Sequence, residues 1–153
     1  MPFYSRHRAF IAAKDFRALQ SYLSKMLKKE TVKKIKPSFA DERGMIANIL
    51  EEPINHAAII TSKFGSIRGN HYHPKQFQYA YLISGRYESI SKDINSKKSK
   101  ISSKIIKPGN LVITPPMVAH AMRFLEDSVL LNLTTGHRDS NKFTEHTKKY
   151  KLI

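Results

Sequence analysis

Residues 65–85 read GSIRGNHYHPKQFQYAYLISG, and this stretch decides the predicted fold. Within it, His71 and His73 are separated by a single residue. Because successive side chains of a β-strand point to opposite faces, both imidazoles are expected to project from the same face. The apolar run at 77–83 predicts a second strand, and the Ser-Gly-Arg sequence after it predicts a turn. The stretch therefore predicts a pair of strands that carries two histidines.

A second stretch also combines a predicted strand with a histidine. Residues 107–116 read KPGNLVITPP, and an isolated histidine, His120, follows them. Three of the chain's seven histidines thus lie where two strand pairs could converge. The other four are scattered, and we expect them on surfaces or loops: His7, His56, His137 and His146.

From residue 31 onward the chain consists of short β-like runs separated by turn-forming residues. The predicted strands cover residues 32–36, 45–50, 57–62, 67–72, 77–83, 87–92, 101–106, 111–114, 119–124 and 129–134. Many short strands at this spacing are typical of a β-sandwich or β-barrel. The polar, lysine-rich run at 93–104 predicts an exposed hairpin loop.

The two ends of the chain differ from this β region. Residues 12–29 place apolar side chains on one helical stripe, which predicts an amphipathic helix packed on the barrel or across a dimer; a membrane surface or a partner groove is the alternative. We divide the chain into a helical segment at 1–30, a barrel at 31–140 and a tail at 141–153. The tail is expected to be a late strand, a dimer contact or a loose end.

Composition limits the class of protein. A chain of 153 residues with 41% hydrophobic residues is long enough for one domain with a real core. No run approaches the roughly 20 apolar residues needed to span a bilayer, so we expect no membrane insertion. The N-terminus has no apolar signal-peptide region, and the chain has no cysteine. A cytoplasmic location is the prediction.

The net charge of +15 arises mostly from lysine, with 19 lysines against 8 arginines. These lysines are dispersed along the chain, whereas direct readout of bases favours arginine, asparagine and glutamine on one element. We therefore predict a solvated basic surface with no nucleic-acid partner. Part of this positive field is expected to attract a diphosphate.

The first histidine stretch carries a family resemblance. The first cupin motif is G-x5-H-x-H-x3,4-E-x6-G, and Gly65, His71, His73, Gln78 and Gly85 match its spacing, with glutamine at the glutamate position. The glutamine offers a neutral and weaker metal ligand than a carboxylate.

The second stretch resembles the second cupin motif, G-x5-P-x-G-x2-H-x3-N. Gly109, Pro115 and His120 match it, with Met117 and Phe124 in place of glycine and asparagine. The resemblance implies an all-β chain that folds as a single cupin double-stranded β-helix, or jelly-roll barrel. If Gln78 faces inward, the odd-numbered aromatic residues of its strand are expected to pack away from the pocket: Phe77, Tyr79 and Tyr81.

A narrower resemblance extends over residues 38–139. The sequence FADERG at 39–44 and the RGNHY sequence at 68–72 are similar to nucleotide-sugar cupins, the dTDP-4-dehydrorhamnose 3,5-epimerases and dTDP-sugar 3,4-ketoisomerases. Gln78 matches a glutamine of the ketoisomerases in spacing, and residues 123–134 resemble their later strand. The cupin domain of capsular-polysaccharide reductase-epimerases has a similar GNHWH sequence.

This resemblance implies roles for individual residues. His71 would be the general base that takes a proton next to a 4-keto group, and His73 its partner. Histidine suits this work because its pKa lies near neutrality. Arg68 would contact the diphosphate or ribose. The implied substrate-binding set is Arg68, Asn70, Gln78 and Met122.

The same residues also suit a metal. Imidazoles bind divalent transition metals, and the implied ligand set is His71, His73, Gln78 and His120 around one Zn, Fe, Mn or Ni ion. A pair of acid/base histidines without a metal is the alternative. No organic cofactor is expected.

Three functions remain open at this point. The favoured one is an isomerase or epimerase of a nucleotide-linked keto-sugar in surface-polysaccharide synthesis, active as a homodimer. The second is a metal-dependent oxygenase or lyase that acts on a small acid or ketone. The third is a non-catalytic cupin that binds a sugar or a metal.

Overall fold

The computed structural model describes residues 27–153 and the single positions 18, 21, 22 and 26. Most of the predicted helix at 12–29 therefore lies outside the described residues. The strands are β1 (Thr31–Lys34), β2 (Phe39–Asp41), β3 (Gly44–Ile46), β4 (His56–Ser62), β5 (Ile67–Tyr72), β6 (Gln78–Ser84), β7 (Tyr87–Asp93), β8 (Ser102–Ile106), β9 (Asn110–Thr114), β10 (Val118–Phe124), β11 (Ser128–Thr134) and β12 (Lys148–Lys149). A 3-10 turn (Ser140–Lys142) and a short helix α1 (Phe143–His146) precede β12.

Two five-stranded antiparallel sheets form the barrel. Sheet one has the order β1-β9-β6-β11-β4, and sheet two has the order β12-β5-β10-β7-β8. A separate hairpin pairs β2 with β3. The all-β jelly-roll prediction is confirmed, because every predicted strand is present in an antiparallel sheet.

The differences from the prediction are local. The third strand ends at Ile46 rather than at residue 50. The sequence did not predict β2, which has three residues. It predicted a late strand only as one of three alternatives for the tail, which contains the two lysines of β12. Neither β2 nor β12 is long enough to show an alternating pattern. Strand β12 makes the tail a late strand of sheet two, where it pairs with β5.

The core lies between the sheets. The buried cluster comprises Ala80, Leu82, Tyr87, Ile106, Val112, Met122, Phe124 and Leu130. A fully buried leucine or phenylalanine side chain contributes about 1.5–3 kcal/mol relative to an exposed one. These residues close one end of the barrel with apolar packing, and the polar interior positions lie toward the other end.

The alternation of β6 places its residues as predicted. Gln78, Ala80 and Leu82 face the interior, whereas Phe77 and Tyr79 belong to a second apolar cluster on the opposite face of sheet one. This outer cluster is covered by partly buried side chains from the segments on either side of β1 and from the segment after β3: Leu27, Ile35, Ile49, Leu50 and Ile54. Gln78 is thereby fixed as an interior side chain.

Among the described residues, no helix combines the length and apolar character that a membrane span requires.

Candidate active site

Two neighbouring strands of sheet two bring three histidines together. His71 on β5 lies opposite His120 on β10 in the antiparallel ladder. His73 follows directly after β5, and its carbonyl oxygen accepts a hydrogen bond from the Met117 amide at 2.9 Å. We call His71, His73 and His120 the histidine cluster. The two histidine stretches converge, as their spacing predicted.

The backbones of β5 and β10 approach each other closely at one glycine. Gly69 has a φ of +84°, and a Cβ atom there would lie 2.7 Å from the carbonyl oxygen of His120. The ladder is irregular at the same point, between His120 and Ala121. Gly69 thus lets the strands approach where the cluster forms.

The cluster is compact. One ring nitrogen from each histidine lies within 4.8 Å of the corresponding atoms of the others. The ring centroids of His71 and His120 are 4.6 Å apart, those of His71 and His73 are 4.9 Å apart, and those of His73 and His120 are 5.4 Å apart. His73 and His120 are each 1% exposed, whereas His71 is only partly buried. His71 is therefore the member that solvent or a ligand reaches.

Hydrogen bonds define the state of His73. Its Nδ1 atom lies 2.9 Å from the carbonyl oxygen of His146 and must donate to it. The Nε2 atom of the neutral ring then carries a lone pair, and the Oε1 atom of Gln78 lies 3.3 Å away. Both atoms are acceptors in this tautomer, so their lone pairs suit a proton or cation held between them.

The third histidine has an unsatisfied atom. His120 Nδ1 makes one long contact, 3.4 Å from the carbonyl oxygen of Val118. Its Nε2 atom is buried without a hydrogen-bond partner. Burying a polar atom without a partner is costly. A ligand with a proton donor or a metal ion would satisfy this nitrogen.

The histidines are held neutral. Burial, and next the positive charge of Arg138, lower the pKa of His71 to about 4 and that of His73 to about 3. Burial and the two neighbouring histidines push the pKa of His120 well below its usual range. At neutral pH all three rings are therefore neutral imidazoles, each with one basic nitrogen.

Arg138, which the sequence did not predict, lies at the cluster. Its Nη2 atom is 3.2 Å from His73 Nε2, and its Nη1 atom donates to Thr147 Oγ1 at 3.1 Å. Thr147 Oγ1 is itself 3.2 Å from His73 Nδ1. His146, which we expected on a surface or loop, supplies the carbonyl that orients His73 and is half-buried. The histidine cluster is thus completed by the C-terminal strap, residues 138–153.

The side chain of Asn70 is engaged by this strap. Its Oδ1 atom accepts from the Leu152 amide at 2.8 Å and the Ile153 amide at 3.2 Å. Its Nδ2 atom donates to the carbonyl oxygen of Ile153 at 3.1 Å. Asn70 was predicted to bind substrate. In the structure, its polar atoms instead form hydrogen bonds with the backbone of the C-terminal strap.

Replacing Asn70 by alanine is expected to lower the free energy of unfolding by about 2–4 kcal/mol. Three hydrogen bonds are lost at about 1 kcal/mol each, and the φ of 55° suits asparagine better than alanine. Urea denaturation measures the change. Asn70→Gly is the matched control, since it keeps the backbone conformation and loses only the bonds. Equal stability of Asn70→Ala and the native protein would contradict this role.

The other predicted substrate residues lie apart from the cluster centre. Arg68 is exposed, and its guanidinium donates to Ser62 Oγ at 2.7 Å and to the carbonyl oxygen of Thr61 at 3.0 Å. Met122 is 8% exposed and packs within the apolar core. A substrate contact of Met122 would need that core to open. Gln78 remains beside His73.

A buried carboxyl lies elsewhere in the interior. Glu30 is 5% exposed, and its two oxygens accept from Ser89 Oγ at 2.7 Å and Thr114 Oγ1 at 3.0 Å. Burial raises the pKa of Glu30, which these two hydrogen bonds partly oppose. Thr114 pairs with Gln78 in the ladder between β9 and β6. The polar interior therefore extends beyond the histidines.

None of the three histidines lines either of two cavities in the described part of the chain. The larger, of about 730 Å³, is rich in lysine: Lys28, Lys29, Lys92, Lys98, Lys100 and Lys104. The smaller, of about 270 Å³, lies against the strap and is lined in part by His137 and His146. Access to the cluster in this conformation is through the exposed part of His71.

Acid is expected to destabilise the metal-free protein. The unfolded chain takes up protons near pH 6.5, whereas folded His71 does so only near pH 4, so stability falls as pH falls between these values. This group alone costs about 3 kcal/mol over that range. The lowered pKa values of buried His73 and His120 also reduce stability as pH falls. The raised pKa of Glu30 has the opposite effect on stability, but it is one group against three histidines. Denaturant unfolding at pH 7.5, 6 and 5 with a chelator measures this, and a flat profile would contradict neutral histidines.

The comparisons with known proteins agree with this geometry. A sequence model of the family described as Cupin matches residues 48–145, more than half of the chain. The chain is a cupin. No curated protein matches it in sequence.

Solved structures similar to this cupin include nucleotide-sugar enzymes. A 3,4-ketoisomerase from Thermoanaerobacterium thermosaccharolyticum, in complex with TDP, is 26% identical with a TM-score of 0.62 over 81% of this chain and 89% of that chain. The dTDP-4-dehydrorhamnose 3,5-epimerase from Sulfolobus tokodaii is 20% identical, with a TM-score of 0.63 over 78% and 76%. That from Elizabethkingia anophelis is 18% identical, with a TM-score of 0.68 over 82% and 77%. The last two, at these identities, show likeness of fold alone.

Proposed function

We propose that this cupin is an isomerase or epimerase of a nucleotide-linked keto-sugar that works by histidine-mediated proton transfer. The observation that carries the proposal is a cluster of three neutral imidazoles in which His71 alone is reachable from outside. A neutral imidazole is a competent general base, and the exposed one is the one that meets a substrate. The 26% identical ketoisomerase, which binds TDP, supports the substrate class.

The chemistry follows from a proton next to a ketone. In a 4-keto sugar, the C3–H bond breaks, its proton moves to a ring nitrogen of His71, and its electron pair makes an enolate whose charge rests on the C4 oxygen. Return of a proton to the other face of C3 gives epimerisation. Return of a proton to C4, with the C3 hydroxyl proton passing to the C4 oxygen, gives a 3-keto isomer. Both reactions share the first step.

His73 does not take the C3 proton itself but supports its removal by His71. Its ring is buried, and its Nδ1–H is committed to the carbonyl oxygen of His146. The Nε2 lone pair is thereby aimed toward Gln78 and the centre of the cluster. We propose that His73 holds the hydroxyl or returns the proton after His71 has taken it.

The diphosphate of the substrate is proposed to lie on the basic side of the molecule. The lysine-rich cavity carries six lysines against two carboxylates, those of Glu30 and Asp93. A positive field of this kind attracts a polyanion and raises its local concentration. Arg68, exposed on β5, remains a predicted contact for the diphosphate or ribose.

The cluster also fits one divalent transition metal. The unpartnered Nε2 atom of His120 and the paired acceptors of His73 and Gln78 are the observations that support the fit. In this alternative, His71, His73 and His120 would hold the ion, with the Gln78 oxygen as a neutral fourth ligand, and His71 would not be a free base. When bound, the ion would polarise the ketone oxygen as a Lewis acid. Elemental analysis of native protein and His120→Ala measures occupancy.

Further expectations concern assembly and setting. A homodimer is proposed because Ile59 and Ile83 are large apolar residues exposed on strands of sheet one. Size-exclusion chromatography with light scattering tests the dimer. A cytoplasmic location and a role in surface-polysaccharide synthesis stay predictions.

Product analysis tests the proposed function. The protein is incubated with TDP-4-keto-6-deoxyglucose, and the ring protons are followed by NMR. We expect a 3-keto isomer or a C3 epimer. Tight binding of the nucleotide sugar without any new product would favour the non-catalytic cupin, and oxygen consumption with a small keto acid would favour the oxygenase.

A further inference from the structure

Arg138 is a half-buried cation with no carboxylate partner among the described residues. The contacts of its guanidinium are the side chains of His73, His146 and Thr147. Within the described part of the chain, no carboxylate comes within salt-bridge distance of it. Burial lowers the pKa of Arg138, and no acidic neighbour opposes this effect.

The guanidinium lies against the nitrogens of the His73 ring. Nη1 lies 3.5 Å from His73 Nδ1, and Nη2 lies 3.2 Å from His73 Nε2. Because His73 Nδ1 donates to the carbonyl oxygen of His146, Nε2 is the acceptor of the ring and faces the Nη2 donor. A guanidinium carries more N–H donors than these contacts use, so donors remain for an anion.

A charge that is removed from water without a counter-ion is unfavourable unless a bound anion pairs with it. Desolvating a cation costs several kcal/mol, and an anion in contact with the cation offsets this cost. Fixed donors in a site shielded from water are also the groups that best stabilise negative charge as it develops. The position of Nη2, beside the atoms of the histidine cluster, matches that use.

We propose that Arg138 is the oxyanion-binding residue of this site and takes a planar, delocalised oxyanion of the enolate or enediolate class. This deepens the proposed function and rests on it for the identity of the reacting sugar. When the C3–H bond breaks and its proton passes to His71, the electron pair moves to the C4 oxygen. Arg138 donates to that oxygen, keeps its own protons, and releases it when a proton returns to carbon.

Solvent exchange at C3 of TDP-4-keto-6-deoxyglucose in D2O tests the catalytic part. Arg138→Met is expected to lower the exchange rate about 10²–10³-fold with KM changed only a few-fold, because the charge exists only after proton removal. Arg138→Lys should retain a larger share of the rate, and methylguanidinium should restore part of it to Arg138→Ala. Arg86→Met removes a surface arginine and is the matched control. A rate within threefold of native, or a loss that neither lysine nor methylguanidinium restores, overturns the proposal.

Calorimetry with oxalate on chelator-treated protein tests the binding part without turnover. Oxalate is a planar dianion that resembles an enediolate, and Arg138→Met is expected to weaken its binding at least tenfold. Equal binding by the variant, or no binding by native protein, overturns the oxyanion site. Arginine-dependent oxalate binding without C3 exchange by native protein would instead overturn the proposed function and leave the oxyanion site standing.

Discussion

Replacing His71 by asparagine is expected to lower the rate of C3 proton exchange by about 10³-fold. General-base catalysis contributes about 10²–10⁴-fold, and His71 is the partly exposed member of the cluster. Asparagine occupies a similar volume and keeps a hydrogen-bonding group, so the substrate should still bind. Exchange measured by NMR, together with calorimetric titration of dTDP, separates the two effects.

His137→Asn is the matched control for this substitution. His137 is exposed and lies outside the histidine cluster, so its replacement should leave the exchange rate unchanged. The assignment of His71 as the base is contradicted if His71→Asn exchanges the C3 proton as fast as native protein. A loss of dTDP affinity equal to the loss of exchange would indicate a binding role instead.

Replacing Gly69 by alanine is expected to destabilise the fold strongly. The new Cβ would lie 2.7 Å from the carbonyl oxygen of His120 and 3.0 Å from the Cα of Ala121, both of them backbone atoms that cannot move independently. The φ of +84° adds backbone strain. Together these effects should remove about 3 kcal/mol or more of the free energy of unfolding, and the pairing of β5 with β10 should loosen.

Gly109→Ala separates the two causes. Gly109 has a φ of +85°, and a Cβ there meets nothing within 4 Å, so only backbone strain of about 1 kcal/mol is expected. Urea denaturation of both variants gives the difference, which reports the clash with β10. Similar losses in Gly69→Ala and Gly109→Ala would show that close approach does not shape the cluster.

Much of the fold was predictable because alternation and turn residues are local signals. The run from Phe77 to Ile83 shows the two-residue period, and its even positions face the interior as predicted. The spacing of His71, His73 and His120 likewise predicted their convergence. A late strand was only one of three alternatives for the tail, because the two lysines of β12 acquire a strand conformation only by pairing with the edge of β5.

The remaining part of the site depends on contacts between distant segments. Arg138 lies 65 residues beyond His73, and no motif spans that separation. The carbonyl oxygen of His146 orients His73 through the backbone, which any residue could supply. The polar side chain of Asn70 was consistent with substrate binding. In the structure its φ of 55° and the position of the strap direct it to the backbone of the strap instead. A single sequence contains no local signal for any of these contacts.

The most direct test of proton transfer is deuterium incorporation by native protein. TDP-4-keto-6-deoxyglucose is incubated in D2O with and without the cupin, and the C3 proton signal is followed by NMR from the first minutes. The account predicts loss of that signal at a rate proportional to protein concentration and far above the rate without protein. Retention of the C3 proton at the rate without protein would contradict a keto-sugar isomerase or epimerase.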